Sequence, residues 1–527
     1  MSVSISSAFL RGVAGEFVRV EVDVLSALPC FQVVGLPDSS VREARERVRS
    51  AIKSVGLGFP RRRITVNLAP ADRPKHGTGL DLAIALALVA AAHSKEEGRE
   101  PWVKPPAAVG ELALSGELRP VRGVLPIVEI LAQSGASSVI VARENAAEAA
   151  LVPGITVHPA ADLFEAWNIA RGVQASSWPV GPVASGPEDT AGPDLLEVRG
   201  LTQARRVLEL AAAGSHDLLL EGPPGSGKSL LARCLAGLLP NLCDSEALEA
   251  TRIRSAAGLL ESSTGLVRRP PMRNPHHSAS TAAMVGGGRP LSPGEVTLAH
   301  RGVLFLDEVP EFRRSVLEAL RQPMQDGSIV IARADNAQRF PARFQLIATR
   351  NPCPCGFFGS ESQVCRCAPA ARDRYVQRLS GPIVDRIDLV HWVAPVAPGL
   401  LLSAADGESS QIVRERVAAV RLMRAARQQE RRPLAATMSE LELCMRRFDR
   451  GARREVEAVL CRGMNSARGV KQLVRVAETI SDVAQSPVVR AVHVEEAALL
   501  SSHPSSSTTD QFTRGVATHR MSKRRST

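Results

Sequence analysis

The feature that most constrains this chain is the run Gly222-Pro223-Pro224-Gly225-Ser226-Gly227-Lys228-Ser229, entered from the apolar Leu218-Leu219-Leu220. It fits GxxxxGK[ST] at a point where a buried strand turns into a helix. Glycine lets the backbone bend close to phosphate oxygens, so that successive N–H groups converge on them. The helix that follows adds the positive end of its dipole. A lysine at the position of Lys228 neutralises charge on the β- and γ-phosphates, and a hydroxyl at Ser229 ligates Mg²⁺. Residues 222–229 are therefore the candidate site for ATP with Mg²⁺. Such a loop belongs to a parallel α/β sheet whose strands open on the nucleotide at their carboxyl ends.

Two further stretches read as strands of that sheet. Gly302-Val303-Leu304-Phe305-Leu306-Asp307-Glu308 is a continuous apolar run ending in two acids, the pattern of a parallel strand buried on both faces. Asp307 is placed for the Mg²⁺ shell and Glu308 for orienting and polarising the attacking water. Gln345-Leu346-Ile347-Ala348-Thr349-Arg350-Asn351 is another buried strand and ends in a polar amide. The segment 379–388 then supplies Arg386, a permanently charged fork suited to transition-state charge, or alternatively an ion-pair partner of Asp385 or Asp388. Between the two strands, residues 327–340 read as a hairpin with a polar turn at Asp335-Asn336.

Two clusters stand beside these strands. Cys353 and Cys355 are answered by Cys365 and Cys367. Four thiols this close in sequence either wrap one tetrahedral Zn²⁺ or staple a loop by packing alone; the Cys-x-Cys spacing is tighter than the usual zinc knuckle. His276-His277 reads as a loop-ordering pair, with metal or phosphate binding as the other use of two imidazoles.

At 527 residues the chain has room for about three domains. The formal net charge of +11 points to an anionic partner, nucleic acid first. One Tyr and four Trp are too few for an aromatic platform that stacks single-stranded bases. Nine cysteines in a chain this long do not make a secreted disulfide framework. The first residues lack a sustained apolar stretch, and the longest apolar run, 82–92, is too short to span a bilayer. A cytoplasmic protein without membrane contact is the expectation.

Residues 1–171 alternate strand and helix patterns in an α+β order. Residues 172–193 have the Pro/Gly/Ser composition of a linker. Residues 194–395 carry the phosphate loop and its companion strands. Residues 396–503 are helical, with apolar faces at Val456, Val459 and Leu460 and at Val470, Leu473, Val474 and Ala477. Residues 504–527 read as a disordered basic tail ending in Lys523-Arg524-Arg525.

The first of these parts, with Pro74-Lys75-His76-Gly77 and a later Gly-Glu-Leu-x-Leu-x-Gly at 110–116, resembles the proteolytic domain of Lon proteases. That chemistry pairs a serine nucleophile with a lysine base. Gly79 stands at the serine position and 123–127 contains no lysine, so the resemblance implies a Lon-like scaffold without its catalytic dyad.

Residues 194–395 and 396–503 resemble AAA+ ATPases of the magnesium-chelatase branch, which insert a hairpin before the strand called sensor 1. Within that branch the motifs Arg273-Asn274-Pro275-His276-His277-Ser278, Val285-Gly286-Gly287-Gly288, Pro293-Gly294-Glu295 and Asn351-Pro352-Cys353-Pro354-Cys355-Gly356 resemble the YifB/ComM family. The resemblance implies Asn351 as sensor 1 and Arg386 as an arginine finger acting across a homo-oligomeric ring, a hexamer. It implies an all-α C-terminal lid with Arg468 as sensor 2 and Arg475 as the second choice; Glu478 replaces an arginine usual in the family. It also implies an ATP-driven motor on branched or single-stranded DNA that promotes branch migration. The alternative is a chelatase-type remodeller working on a protein or porphyrin–metal partner.

Overall fold

The computed structural model describes residues 2–97, 105–174, 177–178, 192–260, 265–288, 291–333, 336–360, 363–379, 381–401, 407–431, 439–462 and 466–501. Most of the 172–193 segment, Asp335 at the hairpin turn, and residues 504–527 lie outside them.

Five parallel strands form the central sheet, in the order Met272–Arg273, Val303–Leu306, Gln345–Arg350, Leu218–Glu221, Leu389–Trp392. Two of its interior strands, Val303–Leu306 and Leu218–Glu221, are almost wholly apolar, as strands buried on both faces tend to be, while Gln345–Arg350 also buries Gln345, Thr349 and Arg350. Since every pairing is parallel, all carboxyl ends emerge along one edge. Register then fixes what meets there. Glu221 lies opposite Arg350, and Leu306 lies opposite Ala348.

Helix Lys228–Leu238 starts directly from the phosphate loop. Its N-cap, Gly227, sits at φ 91°, a left-handed conformation that costs glycine nothing. Leu231, Ala232, Cys234, Leu235 and Leu238 lie in the core, which anchors the helix on the sheet. Strands Ser328–Arg333 and Asn336–Pro341 pair as an antiparallel hairpin before the 345–350 strand.

The amino-terminal part builds a four-stranded sheet in the order Ser2–Arg11, Ala14–Leu25, Arg63–Ala69, Cys30–Val34. Helix Asp81–Glu97 packs on it, with Leu82 to Ala91 at most 1% exposed, as its nearly unbroken apolar sequence requires. A three-stranded parallel sheet joins Ala107–Ala108, Ser138–Ala142 and Thr156–Ala160. A Cβ on Gly79 would face Val121 and Val109, and one on Gly123 would press on Leu10. Both glycines thus stand in apolar surroundings. This part touches the central sheet's layer through Arg252–Glu129, at 3.0 Å, and through Gln338, which donates to the carbonyl of Arg11.

The carboxyl-terminal part consists of helices Ser410–Arg431, Glu440–Met445, Arg450–Cys461, Ala467–Val483 and Ala491–Ser501. Ser439, Asp449 and Ser466 cap three of these helices, each accepting a backbone N–H. Val413, Val417, Leu473, Val476 and Ile480 share one core with helix Thr202–Gly214 of the sheet layer. No helix among the described residues is long and apolar enough to cross a membrane.

Candidate functional site

The carboxyl edge of the sheet gathers the residues that the sequence singles out. Ser229 Oγ donates toward Asp307, 3.1 Å from Oδ1 and 3.0 Å from Oδ2. Lys228 folds back over the loop, its Nζ donating to the carbonyls of Gly222 at 2.8 Å and Pro223 at 2.7 Å. Burial lowers the pKa of Lys228 from the usual lysine range, while the nearby carboxylates of Asp307 and Glu308 oppose that shift. Glu308 is exposed and stands at φ 53°, a costly conformation for a residue with a side chain. Asn351 follows the strand that lies between the phosphate-loop strand and the Asp307 strand, so topology sets it between the two halves of the site.

Thr349 escapes the sequence reading. Its hydroxyl donates to Asp307 and accepts the backbone N–H of Glu308 at 2.9 Å, and the residue is fully buried. The signal was present as a hydroxyl inside an apolar strand, two residues before Asn351 and on the same face. The buried Arg350–Glu221 ion pair escapes it too, because the partners are far apart in sequence and meet only through strand register.

Arg386 donates to Gln325 at 2.8 Å. Its pKa is lowered by burial and by the neighbouring guanidinium groups of Arg468 and Arg321, against the pull of Asp385. Asp388, one of its suggested partners, instead faces His216 at 3.1 Å. Arg468 lies in the first turn of helix Ala467–Val483, and Gln472, four residues further on, donates to the Asp385 carbonyl at 2.8 Å. The charge of Arg468 thus reaches Arg386, and the two segments that carry them touch through Gln472 and Asp385. Arg475 lies elsewhere: its charge acts on His216, Asp217 and Asp388, which precede the strands at the opposite edge of the sheet. Glu478 is held by Arg431 at 2.9 Å, a structural ion pair.

The four cysteines converge. Cys353 Sγ lies 3.3 Å from Cys355 Sγ and 3.6 Å from Cys365 Sγ, Cys355 and Cys365 are 3.6 Å apart, and all four sulfurs including Cys367 fall within 4.8 Å of one another. The amide N–H of Phe357, with others, pulls the Cys355 thiol down to about 6. His276 Nδ1 lies 2.8 Å from Ser278 Oγ and also accepts the Ser278 amide at 3.3 Å, the loop-ordering arrangement.

Residues 194–399 match the family model for magnesium chelatase, subunit ChlI. Residues 20–145 match the model for subunit ChlI of Mg-chelatase, and residues 407–500 that for the subunit's C-terminal region. A protein of Mycobacterium tuberculosis is 45% identical over 91% of this chain and 94% of its own length. YifB of Escherichia coli is 41% identical over 92% and 94%, and competence protein ComM of Haemophilus influenzae is 39% identical over 92% and 94%. Together with the parallel sheet and its phosphate loop, these matches place the chain in the YifB/ComM family of magnesium-chelatase-like, AAA+-type ATPases.

Proposed function

We propose that this protein is a cytoplasmic, ATP-driven motor that assembles as a homo-oligomeric ring, a hexamer, and acts on branched or single-stranded DNA. The observation that carries the ATPase half is the joining of Ser229, Asp307, Thr349 and Glu308 at the carboxyl edge of the sheet, beside Lys228. In this reading the backbone of residues 222–229 cradles the phosphates, and Lys228 exchanges its carbonyl partners for phosphate oxygens. Ser229 and Asp307 hold Mg²⁺, which supplies charge neutralisation when bound. Glu308 orients and polarises the attacking water, and Asn351 hydrogen-bonds the γ-phosphate or that water. Arg386, with Arg468 beside it, serves the site of a neighbouring subunit.

The DNA half draws support from the net charge of +11, the hairpin inserted before the Asn351 strand, and the likeness to a competence protein. The amino-terminal part serves as a Lon-like scaffold for assembly or partner contacts.

The test is ATP turnover of the full chain alone and with single-stranded, duplex and four-way-junction DNA, with Glu308→Gln as control. Strong stimulation by branched or single-stranded DNA that is lost at raised salt is the expected result. Turnover indifferent to every DNA would sink the DNA half and favour a protein or porphyrin–metal partner.

A further inference from the structure

We propose that Cys353, Cys355, Cys365 and Cys367 hold one Zn²⁺, and that the metal-bound loop braces the phosphate loop through contact of Gly356 with Pro224. The second half rests on the ATP reading above.

The geometry of the donor set comes first. A tetrahedral zinc thiolate site with Zn–S bonds near 2.3 Å has sulfur–sulfur edges of about 3.8 Å. The separations of 3.3, 3.6 and 3.6 Å among Cys353, Cys355 and Cys365 sit close to that edge, and Cys367 completes the set within 4.8 Å. They are far longer than the roughly 2.05 Å of a disulfide. Four thiolates arranged around a single centre suit zinc; a cluster of several irons would spread them over a wider frame. Backbone N–H groups of Phe357 and Arg366 point at the Cys355 sulfur, and that of Phe358 points at Cys353.

The loop's position supplies the consequence. Cys353 comes two residues after Asn351, and Cys367 comes two residues before helix Pro369–Arg378, which leads toward Arg386. Gly356 is buried with φ 82°, and a Cβ there would lie 2.6 Å from both Cδ and Cγ of Pro224. The cysteine loop therefore lies directly against the phosphate loop. A bound cation fixes the two Cys-x-Cys arms together, and with them the surface on which Pro224 rests.

Metal analysis of the full-length protein, purified without added metal or chelator, reads the first half. About one zinc per chain is expected. The Cys365→Ser/Cys367→Ser variant should lose it, and Cys30→Ser/Cys461→Ser, which alters exposed thiols elsewhere, should keep it. Zinc-free wild-type protein, iron in place of zinc, or zinc retained in the Cys365/Cys367 variant overturns the site. To avoid dependence on the variant's folding, wild-type protein reloaded with Co²⁺ should show thiolate-to-metal charge-transfer absorption; its absence also overturns the site. The second half is read by titrating a fluorescent, non-hydrolysable ATP analogue against wild-type protein before and after zinc is stripped. An affinity loss of about tenfold on stripping, reversed by zinc, is expected. Equal affinity overturns the brace while the zinc site stands. An analogue that fails to bind the zinc-loaded protein overturns the brace and the ATP reading together, again without touching the metal content.

Discussion

Thr349 ties the two acids of the site together: its hydroxyl donates to the Asp307 carboxylate while accepting the Glu308 amide 2.9 Å away. One buried hydroxyl thus aims the candidate metal ligand and holds the backbone of the candidate water-orienting residue in its left-handed turn. Thr349→Val keeps the shape, strands the Glu308 N–H, and leaves Asp307 with Ser229 as its hydroxyl donor. An unfolding cost of about 1–3 kcal/mol is expected from the unpaired buried group. ATP turnover should fall by roughly 10²-fold, with nucleotide binding changed far less, since misplacement acts mainly on the reacting geometry. Parallel turnover and binding titrations check this, and a binding loss as large as the rate loss would contradict it.

The charge of Arg468 acts on Arg386, whereas the charges that act on Lys228 are those of Asp307 and Glu308. Arg386→Ala and Lys228→Ala should each abolish turnover. If the protein assembles as proposed, mixing the two variants should restore a fraction of it, because a mixed ring would contain intact sites built from a good phosphate loop and a neighbour's good arginine. The expected loss for the arginine alone is on the order of 10³-fold. A mixture as inactive as its components would place Arg386 in its own chain's site.

Arg350 and Glu221 form a buried pair, their side chains 7% and 13% exposed, at the base of the phosphate loop. Arg350→Met leaves the Glu221 carboxylate buried without its partner and should cost about 3–5 kcal/mol. Adding Glu221→Gln should recover much of that loss. Urea unfolding of the single and double variants measures the coupling, and additive losses would show that the pair does not act as a unit.

Acid should loosen the edge strand of the central sheet. Burial lowers the pKa of His391 from 6.5 to about 4. Its folded pKa is depressed, so the stability it contributes is present above pH 6.5 and is lost as the pH falls toward 4. The full span corresponds to about 3 kcal/mol as an upper bound. Unfolding midpoints compared between pH 7.5 and pH 5 should fall less in His391→Gln than in the wild type. Equal falls would exclude His391 as the source. His216, whose pKa burial also lowers against the pull of Asp388, contributes with the same sign and remains in both proteins.

Much of the site was legible because its signals are local. A glycine-rich turn between an apolar strand and a helix, an apolar strand ending in Asp307-Glu308, and a strand ending at Asn351 are each written within a few consecutive residues. Burial of a parallel strand on both faces favours such apolar runs. Paired Cys-x-Cys runs likewise announce themselves before any coordinates exist.

Helix breaks in the 439–498 stretch were harder to read, since Ser439, Asp449 and Ser466 become caps only where the chain leaves its helical path. Arg468 ranks ahead of Arg475 as sensor 2 by resemblance, but as arginines on one helix neither shows in sequence what it will meet. Packing sent the first toward Arg386 and the second toward the buried His216–Asp388 pair at the far edge of the sheet.

The sequence by itself therefore determined which backbone turns toward phosphate, which strands are buried, and which family the chain joins. Tertiary structure alone decided that Thr349 links Asp307 to Glu308, that Glu221 meets Arg350, and that Gly356 rests on Pro224. The physical reason is range. Turn geometry and strand burial leave their mark on neighbouring residues, whereas these contacts join segments far apart in the chain and exist only once strand order and register have been set.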